Sequence, residues 1–281
     1  MSPALNADLH SHSTRSDGTL SPARLARRAH DNGVQLWALT DHDELGGIDE
    51  AAAAARDCGL RFVAGVEISV SVAEQTVHVV GLGVDPADAA LHAGLQQVRA
   101  GREQRARRIA AELERHVALD DAYAGAVRLA GNPALLSRTH FARYLVERRV
   151  CASTHEVFTR FLTPGKPGYV EHDWATLRDA VRWIRGAGGH AVIAHPARYH
   201  FTSTEEWALF ESFKELGGAA VEIVTSSHGH GDQRKYADIA TEFGLLASRG
   251  SDFHSPQESR CDLGRLPPLP AGLTPVWELL A

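Results

Sequence analysis

The residues of this chain best suited to chemistry are its histidines, sixteen in number, and the carboxylates that recur beside them. His10-Ser11-His12 sets two imidazoles two residues apart. On an extended strand, i and i+2 point to one face, so both rings converge as a metal site needs. Asp252-Phe253-His254 repeats that spacing with a carboxylate and an imidazole. Asp41-His42-Asp43 follows an apolar run, with His42 the candidate ligand and the aspartates suited to capping a helix. Glu67 stands inside Val66-Glu67-Ile68, where a carboxylate is costly unless paired or bound to a cation. His78 in Val77-His78-Val79 and His195 before Pro196 raise the same question. Asp17, in Ser16-Asp17-Gly18, reads on its own as a turn residue.

Taken singly, each has an ordinary reading as a polar turn, a wet strand face or a satisfied core histidine. Taken together they mark the ends of successive strands, which scattered polar residues would not do. A mixed nitrogen and oxygen donor set suits zinc, manganese or iron rather than calcium. The set is too large for one ion. Two or three divalent ions, roughly 3.5–4 Å apart and bridged by a carboxylate, form a hydrolytic cluster.

These side chains need a scaffold that delivers them to one place. Short apolar runs lead into each cluster: the stretch before Asp8-Leu9-His10, then 34–40, 61–70, 76–84, 190–194, 219–224 and 245–248. Helical patterns such as 22–31 and 49–58 lie between the early runs. Apolar runs alternating with helices predict buried parallel strands in an α/β fold. The strand-end clusters point to a (β/α) barrel, with an open doubly wound sheet as the alternative. From 91 to 168 the rhythm breaks. Leu95 to Arg115 is rich in helix formers, further helical patterns span 134–149 and 153–162, and 163–168 reads as a loop. The expectation is a barrel domain of residues 1–92 and 169–281, its mouth covered by a helical insertion of residues 93–168. Arg99, Arg102, Arg105, Arg107 and Arg108 within it read as a solvated face.

Bulk properties narrow the function. The 281 residues are 44% hydrophobic and 23% charged, enough for a packed core. A net charge of −6 argues against coating duplex DNA, though bound metal can make one cleft positive. Cys58, Cys151 and Cys261 lack metal or disulfide spacing and suit a reducing cytoplasm. Met1 to His10 shows no secretory pattern, and no apolar run is long enough to span a membrane. No obligate protein partner is evident.

His10-x-His12, Thr40-Asp41-His42, Gly65-Val66-Glu67, Ala194-His195-Pro196 and Gly250-Ser251-Asp252-Phe253-His254 resemble the metal motifs of the PHP (polymerase and histidinol phosphatase) family. Ser137-Arg138-Thr139-His140-Phe141-Ala142-Arg143 and Gly165-Lys166-Pro167-Gly168-Tyr169-Val170 resemble the branch that removes the 3′-phosphate from nucleoside 3′,5′-bisphosphates, whose relatives trim short RNA from the 5′ end. The resemblance implies a distorted (β/α)7 barrel and a cluster of two or three divalent ions, manganese first among them, with zinc or iron as alternatives. It implies a first ion on His10, His12, Glu67 and Asp252, a second on Glu67, His78 and His195, and a third on Asp17, His42 and His254. The family often has His where this chain has Asp17.

A water acidified by the ions would attack phosphorus, with Asp252, Glu67, His195 and His228 as the catalytic set. Arg138, Lys166 and Arg198 are candidate phosphate clamps. His140, His200 and His228 are candidates for binding the second phosphate or protonating the leaving oxygen. Three rivals stand beside this reading: a 5′→3′ exoribonuclease on short oligonucleotides, an amidohydrolase-type C–N hydrolase and a non-catalytic metal-binding module. The substrate expected is a small phosphorylated nucleotide, with short RNA as the alternative.

Overall fold

A computed structural model describes residues 5–130 and 132–280, so the first four residues of the stretch read for a leader lie outside it. The barrel opens with β1 (Ala7–Asp8), α1 (Pro22–Asp31), β2 (Leu36–Leu39), α2 (Ile48–Cys58), β3 (Arg61–Val72) and β4 (Gln75–Leu82). A helical segment follows: α3 (Ala89–Ala100), α4 (Arg102–His116), α5 (Ala122–Leu129), α6 (Arg138–Glu147) and α7 (Thr154–Val157). The chain returns to the barrel through β5 (Ala175–Thr176), α8 (Leu177–Gly186), β6 (His190–Ile193), α9 (Ser203–Glu215), β7 (Ala220–Thr225), α10 (His230–Glu242) and β8 (Leu246–Gly250).

The strands run in the order β1-β2-β3-β4-β6-β7-β8, with β5 added to β3. First and last strands meet through the segments that follow them. Leu9 N–H donates to Arg249 O at 3.0 Å, Asp252 N–H to His10 O at 2.8 Å and His12 N–H to Phe253 O at 2.8 Å. The fold is a distorted (β/α)7 barrel. One strand departs from the all-parallel expectation: β4 pairs antiparallel with both β3 and β6. The cause is a two-residue hairpin at Ala73-Glu74, whose φ values of 44° and 60° are those of a tight primed turn. A hairpin needs no crossover helix, so the strand returns downward.

Alternation along the strands divides two cores. Leu36, Ala38, Val63, Val80, Leu82, Val192 and Ala220 fill the barrel interior. Trp37, Leu39, Val66, Ile68 and Val70 face outward and pack beneath helices α1, α2 and α8. At the upper end of the interior face, polar residues replace apolar ones: Val63 gives way to Glu67 and Ser69 on β3, and Leu82 and Val80 to His78 on β4.

Within the helical segment, the run read as one helix from Leu95 to Arg115 is broken at Gly101, where the His172 ring lies 2.2 Å from the place a Cβ would occupy. The first half, α3, sends Leu91, Leu95 and Val98 into the barrel's outer core. Helices α4 to α7 enclose a core of their own, from Ala106 and Ile109 through Phe141 and Leu145 to Val170. No helix among the described residues is long and apolar enough to cross a membrane.

Candidate metal centre and substrate cavity

Glu67 lies at the centre of the barrel mouth, fully buried. Its Oε1 is 2.9 Å from His78 Nδ1, 3.1 Å from His195 Nε2 and 3.3 Å from His10 Nε2. Its Oε2 is 2.9 Å from His42 Nδ1 and 3.2 Å from His12 Nε2. Asp252 Oδ1 stands 3.2 Å from His12 Nε2 and 3.5 Å from His10 Nε2. Asp17 Oδ1 is 3.2 Å from His254 Nε2 and 3.9 Å from His42 Nε2. The fold thus brings all nine residues expected as ligands to one place, from five strand ends and the loop after β1.

The arrangement fits divalent cations. His12 Nδ1, Asp17 Oδ1, His42 Nδ1, Glu67 Oε2 and His78 Nδ1 are buried and, among the described residues, make no hydrogen bond of proper geometry even where a facing atom stands 2.9 Å away. Each buried polar atom left in that state costs about 1–3 kcal/mol. Three overlapping groups have donor atoms close enough to share an ion: His10, His12 and Glu67; His42, Glu67 and His78; and His12, Asp17, His42 and His254. Without cations, protons take their place. Burial works to raise Glu67, but the His78, His42 and His10 rings outweigh it and hold the carboxyl well below its usual range. Burial works to lower His12, but Asp252 and Glu67 push it up to about 10.

A second layer orients the ligands. His10 Nδ1–H donates to Glu222 Oε1 at 2.8 Å, and the His195 main-chain N–H donates to Glu222 Oε2 at 2.6 Å. Tyr199 accepts from His78 N–H, donates to Ala194 O and lies 3.3 Å from His195 Nδ1. His254 Nδ1–H donates to Asp252 O. Asp41 is not a ligand but an anchor, accepting from Ser13 N–H, Ser13 Oγ–H and Ser16 Oγ–H to shape the loop that carries Asp17. His195 (φ 29°) and Asp252 (φ 53°) hold left-handed backbone, which non-glycine residues adopt at a cost and which concentrates at functional sites.

Above the cluster opens a cavity of about 570 Å³ walled by both barrel and insertion. One corner of its wall is cationic: Arg102 and Arg105 stand over the Trp174 ring, and Arg138, near the Phe158 and Tyr169 rings, is close enough for its charge to act on Arg105. This corrects the reading of the α4 arginines as a solvated face. Arg102 and Arg105 are only 5% and 7% exposed, because that face of α4 turns to the barrel mouth, while Arg107 and Arg108 remain in solvent. Arg102 is held by Asp43, and Arg105 Nε–H donates to Val170 O. Among the described residues, neither Arg105 nor Arg138 has a carboxylate partner. Burial and the neighbouring charges of Arg138 and Arg102 bring Arg105 down to about 9.

The remaining expected residues separate. Arg198 lines the cavity and its Nη2 reaches Asp252 Oδ2 at 2.5 Å. Arg138 lines it too, with Nη1–H donating to Leu162 O. The cavity wall does not include Lys166, His200, His140 or His228. Lys166 lies in a separate groove with Arg108 and Arg115. His200 is exposed, and its main-chain N–H is held by Gln75. His140 Nδ1 accepts from Ser137 N–H in a capping box at the start of α6. His228 has both ring nitrogens engaged by main chain, Nδ1–H donating to Ile223 O and Nε2 accepting from Ala197 N–H.

Sequence reasoning passed over Glu222 and Tyr199 and gave Arg102 and Arg105 no part in the site. Glu222 carried a signal, since Val221-Glu222-Ile223 places a carboxylate in an apolar strand just as Val66-Glu67-Ile68 does.

Known proteins share this architecture. The chain is 50% identical to a 3′,5′-nucleoside bisphosphate phosphatase of Chromobacterium violaceum, over 98% of this chain and 96% of the relative. It is 41% identical to a 5′-3′ exoribonuclease of Haemophilus influenzae, over 96% of this chain and 97% of the relative. A solved structure described as an amidohydrolase from Chromobacterium violaceum, with sulfate bound and no metal, superposes with a TM-score of 0.94 at 50% identity, covering 98% of this chain and 96% of that one. The PHP domain family matches residues 8–230, and this chain belongs to that family.

Proposed function

We propose that this protein is a metal-dependent phosphatase that hydrolyses the 3′-phosphate of nucleoside 3′,5′-bisphosphates to 5′-nucleotide and phosphate. The observation that carries the reading is a cavity lined by two anion-seeking groups, the ligand cluster and the set Arg102, Arg105 and Arg138. A ligand with a single phosphate leaves one of the two groups unmatched. The 50% identical relative carries the same activity in its name.

The residues have distinct tasks. His10, His12, Glu67 and Asp252 would hold a first ion, Glu67, His78 and His195 a second, and Asp17, His42 and His254 a third. Manganese is the proposed metal, suited to this oxygen and nitrogen donor set. When bound, such ions supply an acidified water as nucleophile and positive charge for the phosphoryl oxygens. Arg105 and Arg138 grip the 5′-phosphate, the planar guanidinium matching its oxygens. Arg198, braced on Asp252, presents its remaining donors to the phosphate being cleaved. The segment 93–168 acts as a cap that supplies the arginine corner and keeps bulk water from the cluster. The three free cysteines suit a reducing compartment, and we place the enzyme in the cytoplasm.

The exoribonuclease reading uses the same residues and is favoured by the 41% identical relative. Both are tested together. The manganese-loaded protein should release phosphate rapidly from adenosine 3′,5′-bisphosphate and slowly from 3′-AMP and 5′-AMP. Nucleotide release from a short 5′-phosphorylated RNA with an inert bisphosphate would move the assignment to exoribonuclease. Activity on amides alone would overturn both.

A further inference from the structure

Glu222 faces the barrel interior from β7, beside a register irregularity in its pairing with β8. It is 1% exposed and no member of the three donor groups. We infer that Glu222 is a positioning residue that fixes the metal-binding face of His10 and the main chain at His195, so that one carboxylate aligns ligands of two different ions. The inference rests on the metal reading above and deepens it.

Two contacts carry the argument. The first sets a tautomer. A neutral imidazole carries its proton on either nitrogen. With Glu222 Oε1 accepting from Nδ1–H at 2.8 Å, the His10 lone pair is left on Nε2. Nε2 is the atom that faces His12 Nε2 at 3.1 Å, Glu67 Oε1 at 3.3 Å and Asp252 Oδ1 at 3.5 Å. Without the carboxylate, a proton on Nε2 would occupy the place an ion needs.

The second contact holds main chain. His195 precedes a proline, which disfavours helical backbone, and yet sits at φ 29°, ψ 55°. Its N–H is held at 2.6 Å by Glu222 Oε2, a charge-assisted bond. From the other side, Tyr199 lies 3.3 Å from His195 Nδ1, so Nε2 is the nitrogen turned to Glu67. The neighbourhood is built around the carboxylate: a Cβ at Gly250 would stand 3.0 Å from Glu222 Oε1 and 2.3 Å from His10 Cβ.

Both partners of Glu222 are donors, so both of its oxygens must accept. Glutamine has the same shape but one acceptor, and its amide hydrogens would meet a donor. E222Q is therefore the sharp test. We expect circular dichroism like that of wild type in the metal-free state. Calorimetric titration with manganese should show about 10- to 100-fold weaker binding for two of the ions, the usual cost of losing an outer partner. Long-range nitrogen–proton spectra of the zinc-loaded wild type should show His10 protonated at Nδ1, with that proton strongly deshielded by its carboxylate acceptor, and its Nε2 signal shifted by metal. That spectrum decides the matter even where E222Q does not fold. Unchanged manganese affinity in E222Q, or His10 protonated at Nε2 in the loaded wild type, overturns the inference while leaving the metal centre standing. Failure of the wild type to bind manganese or zinc at all would overturn the metal reading itself, and this inference with it.

Discussion

Ser137 Oγ–H donates to Asp17 Oδ2 at 3.0 Å, and this bond ties the insertion to the metal centre. Ser137 is the N-cap of α6, and from the same helix Arg143 Nη1–H donates to Asp17 O at 2.7 Å while its other nitrogens clasp Glu258. An aspartate at position 17 therefore has one oxygen for the ligand cluster and one for the cap, which an imidazole could not divide in the same way. S137A should weaken occupancy of the Asp17 group by the worth of one hydrogen bond, about 0.5–1.5 kcal/mol, or up to about tenfold in affinity. Metal content after dialysis against graded manganese would check this. Equal occupancy in variant and wild type would separate the cap from the site.

The arginine corner should act on one phosphate of two. R105A and R138A each remove a charged donor worth about 1.5–3 kcal/mol to an anion. Activity on adenosine 3′,5′-bisphosphate should fall by roughly one to two orders of magnitude in kcat/KM. Activity on 3′-AMP, which lacks the second phosphate, should change little. Parallel losses on both substrates would place these arginines elsewhere in the reaction.

Metal entry should expel protons. His12 is raised from 6.5 to about 10 in the metal-free protein, burial opposing the shift and Asp252 and Glu67 overcoming it. A raised folded value means that the group's stabilising share is complete below pH 6.5 and is lost as pH climbs towards about 10. The metal-free protein should lose melting temperature across that window, and manganese should restore it. At pH 8, titration in Tris and in HEPES should give heats that differ by at least about one proton per chain. Buffer-independent heats would contradict the ligand role of His12.

Gly250 should tolerate no side chain. A Cβ there meets His10 Cβ at 2.3 Å and the His10 nitrogen at 2.7 Å. G250A should cost about 1–3 kcal/mol of stability through overpacking. It should also lower metal content, because the residue displaced is a proposed ligand. A melting temperature and metal content equal to wild type would show that the barrel yields there without consequence.

The candidate ligand set was legible because its members either break apolar strands, as Glu67 and His78 do, or gather just after apolar runs end, and a charge in an apolar strand needs a reason. Glu222 breaks β7 in the same way, yet it sits among no other motif and its partners lie 212 and 27 residues away. The arginine corner was illegible because helical periodicity marks faces without saying what they meet. Arg102 finds Asp43 across 59 residues. The reversal of β4 was hidden in Ala73-Glu74, a tight turn made without the glycine or asparagine that usually announces one. Histidine as a type is ambiguous in another way. His140 Nδ1 and both ring nitrogens of His228 bond to main chain, a use that composition cannot tell from catalysis.

The barrel's closure makes completion of the proposed metal centre a late event in the life of the chain. His10 and His12 come from the segment after the first strand, Asp252 and His254 from the segment after the last, and main-chain bonds join the two. A ribosome must add some 240 residues between one half of this seam and the other before a complete donor set exists. During synthesis the histidines near the start of the chain therefore meet the cell's metal ions as partial donor sets, and the full set arrives with ring closure.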